Sequence, residues 1–377
     1  MTTSNTPDLI EYFSVVEDPR IDRQKLHSLP DILFIVFTAT ICGVDCYEDF
    51  VCFAQSKERF LKKYIPLKNG IPSKNTFHRV LSSLDPEQFR TCFLQWVRDF
   101  QQELGDIIAV DGKTIRKSFD HALNKSPIHM VSAFAAEARL VLAQTKVDEK
   151  SNEITAIPQL MDMIDLNGAT VTIDAMGCQK AIAEKIITGG GHYLLAVKGN
   201  QKKLYSAIKQ HFSNRFDMEH NRYVDVAVNE ISSRGRQEKR KCLTTSNLDW
   251  LETKDDWPGL KSIAMIESIR EVHGKVSTEY RYYISSNSAD AEKTNHIARS
   301  HWSIENSLHW VLDVVFGEDD SRVRKDHGPE NMAMIKHVVL NKLKTVQKNY
   351  PRRSLKSLRK AAGWSDDALE EILVARI

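Results

Sequence analysis

Two stretches decide the fold: Asp106-Ile-Ile-Ala-Val-Asp111-Gly-Lys-Thr114 and Ala169-Thr-Val-Thr-Ile-Asp174. Each is a short run of aliphatic and β-branched residues that ends on an acid, the pattern of a buried strand. Between and after them the chain alternates. Residues 128–135 and 140–147 are strand-like, parted by the polar break Glu137-Ala-Arg139; 154–164 has helical periodicity and 180–187 is helical. Gly189-Gly190-Gly191 is a turn, and 193–197 is a further strand. The order β-β-β-α-β-α-β predicts a mixed sheet with helices on its faces. A carboxylate at the end of such a strand leaves the core for a cleft. One strand-ending acid is commonplace. Asp111 and Asp174, on neighbouring strands of one sheet, make a pair of hard oxygen donors suited to Mg²⁺ or Mn²⁺.

Upstream, residues 8–100 read as helical. Residues 29–44 form a buried helix, and Phe50, Phe53 and Ala54 continue an apolar face. Pro72-Ser73-Lys74-Asn75-Thr76-Phe77-His78-Arg79-Val80-Leu81 opens another helix, with Ser73 as N-cap and Phe77, Val80 and Leu81 at helical spacing. Its polar residues Ser73, Asn75 and Arg79 are candidates to reach DNA, as in a helix-turn-helix, although an ordinary amphipathic helix has the same pattern. Downstream, residues 223–228, 241–245, 262–269 and 278–285 are strand-like and form a β-rich insertion. Residues 291–315 and 331–346 are helical, and Pro351-Arg352-Arg353 breaks the chain before a short basic helical tail. The expected division is an N-terminal helical domain over 1–100, a core begun over 101–205, the insertion over 206–290, a helical completion of the core over 291–346, and the basic tail over 347–377. The fold class is α+β.

The composition is that of a globular chain of 377 residues, 42% hydrophobic and 27% charged. The net charge is only +2, but it is unevenly spread. Residues 321–360 hold twelve Lys or Arg against two acids, Asp326 and Glu330, and Arg234, Arg236, Lys239, Arg240 and Lys241 form a second basic knot. Such asymmetry suits a polyanion, though a solvated helix face balanced elsewhere has the same count. The six cysteines include no Cys-x-x-Cys, which disfavours a zinc site. Met1–Pro7 does not read as a secretory leader, and the apolar run 32–44 is too short to span a bilayer. A reduced, cytoplasmic protein with no membrane partner is the expectation.

Gly112-Lys113-Thr114 matches the end of a phosphate-binding P-loop, but that loop needs a glycine at position 107, which is isoleucine. Nucleotide hydrolysis falls with it. A third feature is Arg299-Ser-His301-Trp302-Ser-Ile-Glu305-Asn306-Ser-Leu-His309-Trp310-Val-Leu-Asp313. At α-helical spacing Trp302, Glu305, His309 and Asp313 share one face. Either Glu305 or Asp313 could be a third acid, and a packed helix with mutually satisfied polar groups fits the spacing equally.

At this point the chain resembles the H-repeat-associated transposases, insertion-sequence relatives linked to Rhs elements within the DDE superfamily. The resemblance is carried by Asp18-Pro-Arg20 with His27 and Leu29, and by Gly70-Ile-Pro-Ser73-Lys-Asn-Thr76. It continues in Val110-Asp-Gly-Lys-Thr114, in Thr172-Ile-Asp174-Ala-Met-Gly-Cys178-Gln179 and in Ala196-Val-Lys198-Gly-Asn200-Gln201. It ends in His301-Trp302-Ser-Ile-Glu305-Asn306 with Leu308-His309-Trp310, Leu312-Asp313-Val314 and Glu318-Asp319-Asp320. It implies an RNase H-like mixed-sheet catalytic core, with Asp111, Asp174 and Glu305 as its metal-holding acids. The wider superfamily's Tyr, Arg and Lys around the third acid are here Ala298, His301 and Leu312, so those roles do not carry over.

The implied reaction is cleavage of transposon-end DNA followed by attack of the freed 3′-hydroxyl on target DNA, with two cations stabilising both oxygens of an in-line displacement. Asp111 would bridge both ions, and Asp174 and Glu305 would hold one each. Lys113, Lys198, Asn200 and Arg299 are candidates for positioning phosphates. Trp250 and Trp257 could stack on an unpaired base, or simply pack. Synapsis of two DNA ends implies a homodimer. The rival readings are an RNase H-like nuclease without strand transfer and a catalytically silent DNA-binding descendant.

Overall fold

The structure, a computed structural model, describes residues 7–99, 106–119, 125–148, 151–213, 221–233 and 236–376. The expected boundary at residues 100–101 and Arg234 of the basic knot lie outside them. Helices α1 (Asp8–Phe13), α2 (Leu29–Ile41), α3 (Tyr47–Ser56), α4 (Glu58–Leu61), α5 (Lys74–Ser83) and α6 (Pro86–Arg98) come first. Strands β1 (Ile107–Thr114), β2 (His129–Ala135) and β3 (Leu140–Lys146) follow, then α7 (Glu153–Met161), β4 (Thr170–Ile173), α8 (Lys180–Thr188), β5 (His192–Val197) and α9 (Lys202–His211). Next are β6 (Val224–Ser233), β7 (Arg236–Thr245), β8 (Ser262–Val272) and β9 (Lys275–Ser285). The chain closes on α10 (Ala291–Ile304), a π-helical turn over Glu305–His309, α11 (Trp310–Val314), α12 (Gly328–Gln347), α13 (Leu355–Trp364) and α14 (Asp366–Val374).

The nine strands of the described residues belong to one sheet, in the order β3-β2-β1-β4-β5-β9-β8-β7-β6. β1, β4 and β5 pair in parallel, and every other neighbour is antiparallel. The strands of the segment expected as a β-rich insertion extend the same sheet. Its last strand β9 satisfies the open edge of β5, pairing Leu194 with Ser285 through Val197 with Tyr282. β6–β9 also run further than their apolar patterning suggests. Their outer halves are exposed, as in residues 275–280 of β9, so no hydrophobic alternation marks them.

Side chains alternate between the two faces of a strand, and partners on neighbouring strands share a face. Val110, Ile173, Leu195, Ile284 and Ile263 stand in one row on a face that joins the main core with α7 and α8. The opposite face carries Ile107, Leu194, Cys242, Ile266 and Tyr283 and is covered by Ala291, Ile297 and Ala298 of α10. Asp111 and Asp174 belong to this second face.

The helical layer is organised by α12, which packs on α2, α5, α6, α13, α14 and the edge strand β3. Its polar residues tie these parts together. Asn331 donates to the carbonyls of Leu81 and Leu84, both at 2.9 Å, and Asn341 makes two 2.9 Å bonds to the backbone of Val141. Ser73 caps α5 as its sequence predicts, accepting from the Thr76 N–H. Arg20 is clamped by Asp18 at 2.7 Å and by the carbonyl of His27 at 2.7 Å, which gives the Asp-Pro-Arg stretch a structural role.

The basic stretch 321–360 is not a single charged surface. Lys336, Lys342 and Arg359 are buried, and the tail beyond residue 347 packs as α13 and α14 against α2 and α12. Lys342 is fully enclosed and donates to Asp8 at 2.5 Å, while Trp96 donates its indole N–H to the same carboxylate at 2.9 Å. Removing one member of a buried pair strands the other charge. Lys342→Ala is expected to cost about 3–5 kcal/mol in urea unfolding. Asp8→Asn combined with Lys342→Met is expected to recover most of that loss.

Candidate active site

The site begins with the parallel pairing of β1 and β4, whose last paired residues are Val110 and Ile173. One residue further on each strand are Asp111 and Asp174, on one face at the adjoining strand ends. Neighbouring strands lie ~4.8 Å apart, so the two acids are held side by side by the backbone. Asp174 is fixed by its own turn. Its Oδ1 accepts the N–H of Met176 at 2.9 Å and of Gly177 at 3.4 Å. Residue 177 must be glycine for this turn to close, because a Cβ there would sit 2.3 Å from Ile173 Cγ2. Asn200 and Gln201 pin the same turn from the end of β5, donating to the carbonyls of Ala175 at 2.5 Å and Cys178 at 2.9 Å.

The third acid arrives from α10, which crosses the sheet face above β1 and β4. The helix does not keep α spacing. Glu305–His309 forms a π turn, a feature that often marks functional helices. The residues expected on one face are thereby divided. Trp302 and Glu305 face a cavity of about 300 Å³ that also takes in Asp174, Lys198, Tyr205 and Arg281. His309 Nδ1 lies 3.6 Å from Asp111, while Asp313 turns away to pair with Lys113 at 2.7 Å. The sequence left Glu305 and Asp313 open as the third acid; the structure sets Glu305 beside Asp174 and commits Asp313 to a cation.

The electrostatics are those of crowded carboxylates. Burial pushes Asp111 up to about 7, and the negative charges of Glu153, Asp174 and Glu305 push the same way against a hydrogen bond from Gly112. Desolvation raises Glu305, Arg281 offsets part of that rise, and Asp174 adds to it. Burial and the cation Lys113 hold His309 down to about 3, and burial holds His301 down to about 4. Both imidazoles are therefore neutral near pH 7 and leave the acids' charge uncancelled. A divalent cation is what relieves such a cluster, and the donors are oxygens, as Mg²⁺ or Mn²⁺ prefers. Among the described residues, no three His, Cys, Asp or Glu side chains stand close enough to hold one ion together as they are.

Glu153 was missed in the sequence. It opens α7, where an acid ordinarily just complements the helix dipole, and it bonds His129 at 2.7 Å. Gly112 makes room for that pair, since a Cβ there would lie 2.2 Å from Glu153 Oε1 and 2.4 Å from His129 Nε2. Arg281 was also missed. Its guanidinium lies 4.4 Å over the Trp302 ring, a contact between β9 and α10 that no sequence spacing announces.

The remaining candidates divide. Lys198 lines the acid cavity and Arg299 an adjoining cleft. Asn200, although exposed, commits its side-chain N–H to the Asp174 turn. Lys113 is caged by Asp313, Glu318 and Asp319 at 2.7, 3.2 and 3.2 Å, so it clasps residues 313–319 to β1 and is not free for a phosphate. Ser73, Asn75 and Arg79 are exposed on α5 within the helical layer, away from the acids. Trp257 is core, and Trp250 stacks on His211 with ring centroids 4.2 Å apart, so the packing reading holds for both. Among the described residues no helix is long and apolar enough to cross a membrane.

Residues 102–342 match the family described as Transposase DDE domain, and residues 10–97 match the family described as DDE_Tnp_1-associated. The chain is 41% identical to "H repeat-associated putative transposase YhhI" of Escherichia coli (strain K12), over 94% of each chain. It is also 41% identical to "Putative transposase YncI" of Escherichia coli O157:H7, over 97% of this chain and 94% of that one. Among solved structures it is similar to a piggyBac transposase synaptic complex with hairpin DNA, at 10% identity and a TM-score of 0.43, covering 97% of this chain and 78% of that one. That last likeness is too distant to speak for fold or function. The two family matches and the near full-length relatives show that the chain belongs to the DDE transposases, among their H-repeat-associated members.

Proposed function

We propose that the chain is a metal-dependent transposase that binds transposon-end DNA, hydrolyses a strand at the end and joins the freed 3′-hydroxyl to target DNA. The observation that carries this is the placement of Asp111 and Asp174 side by side on the sheet face that α10 crosses with Glu305. An RNase H-like core is supported by the strand order β3-β2-β1-β4-β5, with β1–β3 antiparallel and β4 and β5 added in parallel. Double-stranded DNA as substrate, a homodimer bridging two ends and action at the bacterial nucleoid belong to the same reading.

DDE transposases generally depend on a divalent metal. When bound, such ions supply charge stabilisation to the attacking and leaving oxygens of an in-line displacement at phosphorus. Asp111, Asp174 and Glu305 are the residues to hold them. The chain's other groups prepare those three. The N–H groups of Met176 and Gly177 orient the Asp174 carboxylate, and Asn200 and Gln201 keep that turn from shifting. Neutral His309 borders Asp111 without neutralising it. Lys198 stands on the cavity wall as a cation for the substrate's phosphates, beside Arg281, which Glu279 already holds at 2.8 Å.

The reading is tested with a transposon-end duplex, a target plasmid and either Mg²⁺ or Mn²⁺. Wild type is expected to yield cleaved ends and joined products. Glu305→Gln, Asp111→Asn and Asp174→Asn are each expected to lose at least about a hundredfold in both steps. Full activity of Glu305→Gln would sink the assignment. Cleavage without joining would mark a nuclease, and binding without either step under both metals a silent descendant.

A second expectation concerns pH. A carboxyl raised to about 7 binds its proton more tightly folded than unfolded, where it titrates near ~4. Metal-free stability should therefore fall as pH rises through that window. Asp111→Asn is expected to flatten this slope and to melt higher than wild type at pH 8 in EDTA, with little difference at pH 4. Adding Mg²⁺ at pH 8 is expected to raise the wild-type melting temperature and to raise the variant's less, as scanning calorimetry reads.

A further inference from the structure

Along β7, β8 and β9 the pairing is regular, so the face of each residue follows from its register. Arg240 is opposite Ser268, Glu238 opposite Arg270, and Arg236 opposite Val272, while Ile266 pairs with both Cys242 and Arg281. Cys242 and Ile266 are packed under α10. Arg236, Arg240, Arg270 and Arg281 therefore all lie on the face that carries Asp111 and Asp174. This row of guanidiniums lies on the outer part of the sheet, toward the exposed ends of β7–β9.

Three members of the row form one wall of a cleft of about 510 Å³, while Arg281 lines the acid cavity beside it. Arg236, Arg240 and Arg270 come from the sheet, Arg299 from α10 and Arg139 from the β2–β3 turn. Glu305 and Trp302 line both this cleft and the acid cavity, so the two are continuous. Among the described residues that line the cleft, the five arginines meet only two carboxylates, Glu238 and Glu305. Glu238 binds Arg236 at 2.6 Å and lies 3.7 Å from Arg270. Arg240 is only 6% exposed, and neither its Nε nor that of Arg270 has a hydrogen-bond partner among the described residues. Buried guanidinium donors that lack acceptors are costly, and planar forks of this kind match phosphate oxygens two at a time.

We propose that this arginine cleft binds the phosphodiester backbone of the DNA strand running away from the scissile phosphate, over several nucleotides and without reading its bases. The inference rests on the transposase reading above and assigns the strand's path across the sheet. Cations spread from the β2–β3 turn across β7 and β8 to α10 suit successive phosphates better than one small anion. Contacts to backbone oxygens carry no sequence information.

The test is binding of fluorescent oligonucleotide duplexes of unrelated sequence to the full chain, in EDTA, over a salt series. Arg240→Gln combined with Arg270→Gln is expected to weaken binding at least about tenfold. It should also lower the slope of log affinity against log salt by roughly 0.9 per lost contact. Arg299→Gln changes an exposed side chain, so it keeps the test valid should the buried Arg240 substitution impair folding; it is expected to lower the slope in the same way. Lys356→Gln, an exposed cation on α13 outside the cleft, measured alongside, should bind as wild type does. Unchanged affinity and slope in all the arginine variants would overturn the cleft while leaving the transposase reading intact. Pyrophosphate bound as tightly as the duplex, and lost on the same substitutions, would also overturn it by making the cleft a small-anion pocket. Loss of binding in the arginine variants of a chain that neither cleaves nor joins DNA would uphold the cleft and remove the transposase reading instead.

Discussion

The parallel pairing of β1 with β4 is the contact on which the rest depends. It lies inside the sheet, with strands continuing on both sides, so its register cannot slip without moving every side chain to the wrong face. That register sets two carboxylates next to each other in a partly dry environment. The arrangement opposes folding, because burial and like charge both disfavour the ionised acids. The backbone holds them there regardless. Stability is supplied elsewhere, by the main core on the opposite sheet face and by the helical layer around α12.

Much of this was legible in the residues. Apolar runs that end on Asp111 and Asp174 announce buried strands, and a Ser73 ahead of helical spacing announces a cap. These are local signals, and burial or backbone geometry enforces them. The rest was hidden for specific physical reasons. Lys113, in a stretch that looks like a phosphate site, is neutralised by three carboxylates two hundred or more positions away. Lys336, Lys342 and Arg359 count as surface charge in any tally of sequence, yet all three are buried; Asp8 receives Lys342, and the carbonyls of Thr40 and Val315 receive Arg359. Glu153 has the appearance of a first-turn acid, and only the fold brings it against Gly112. The outer strands of β6–β9 have no alternation because neither face there is fully covered.

The sheet also explains why acids and arginines fall on one surface. A face is a property of register and persists across every strand, so residues from β1 and from β7 can address one ligand although the chain between them is long. The arginines raise the potential beside the acids without contacting Asp111. A negatively charged polymer entering from the basic side would meet attraction before it met the carboxylates, which by themselves repel it. Opposite signs laid out in sequence along one surface give a direction of approach.

The π turn over Glu305–His309 has a consequence for how this helix tolerates change in length. A π turn closes one residue later than an α turn, so the segment behaves as an α-helix carrying one surplus residue. It joins two stretches of helix that are out of phase. The upstream stretch presents Trp302 to the cleft, and the downstream one delivers Asp313 to Lys113. Excising one residue within the turn would leave an unbroken α-helix with both stretches in place, but winding the turn back to α geometry with every residue kept would swing everything beyond it by ~100°. The Lys113 clasp would then lose Asp313 while the upstream part of α10 kept its seat on the sheet. The surplus residue thus sets the angular offset between the acid that faces the cleft and the one that locks the helix down.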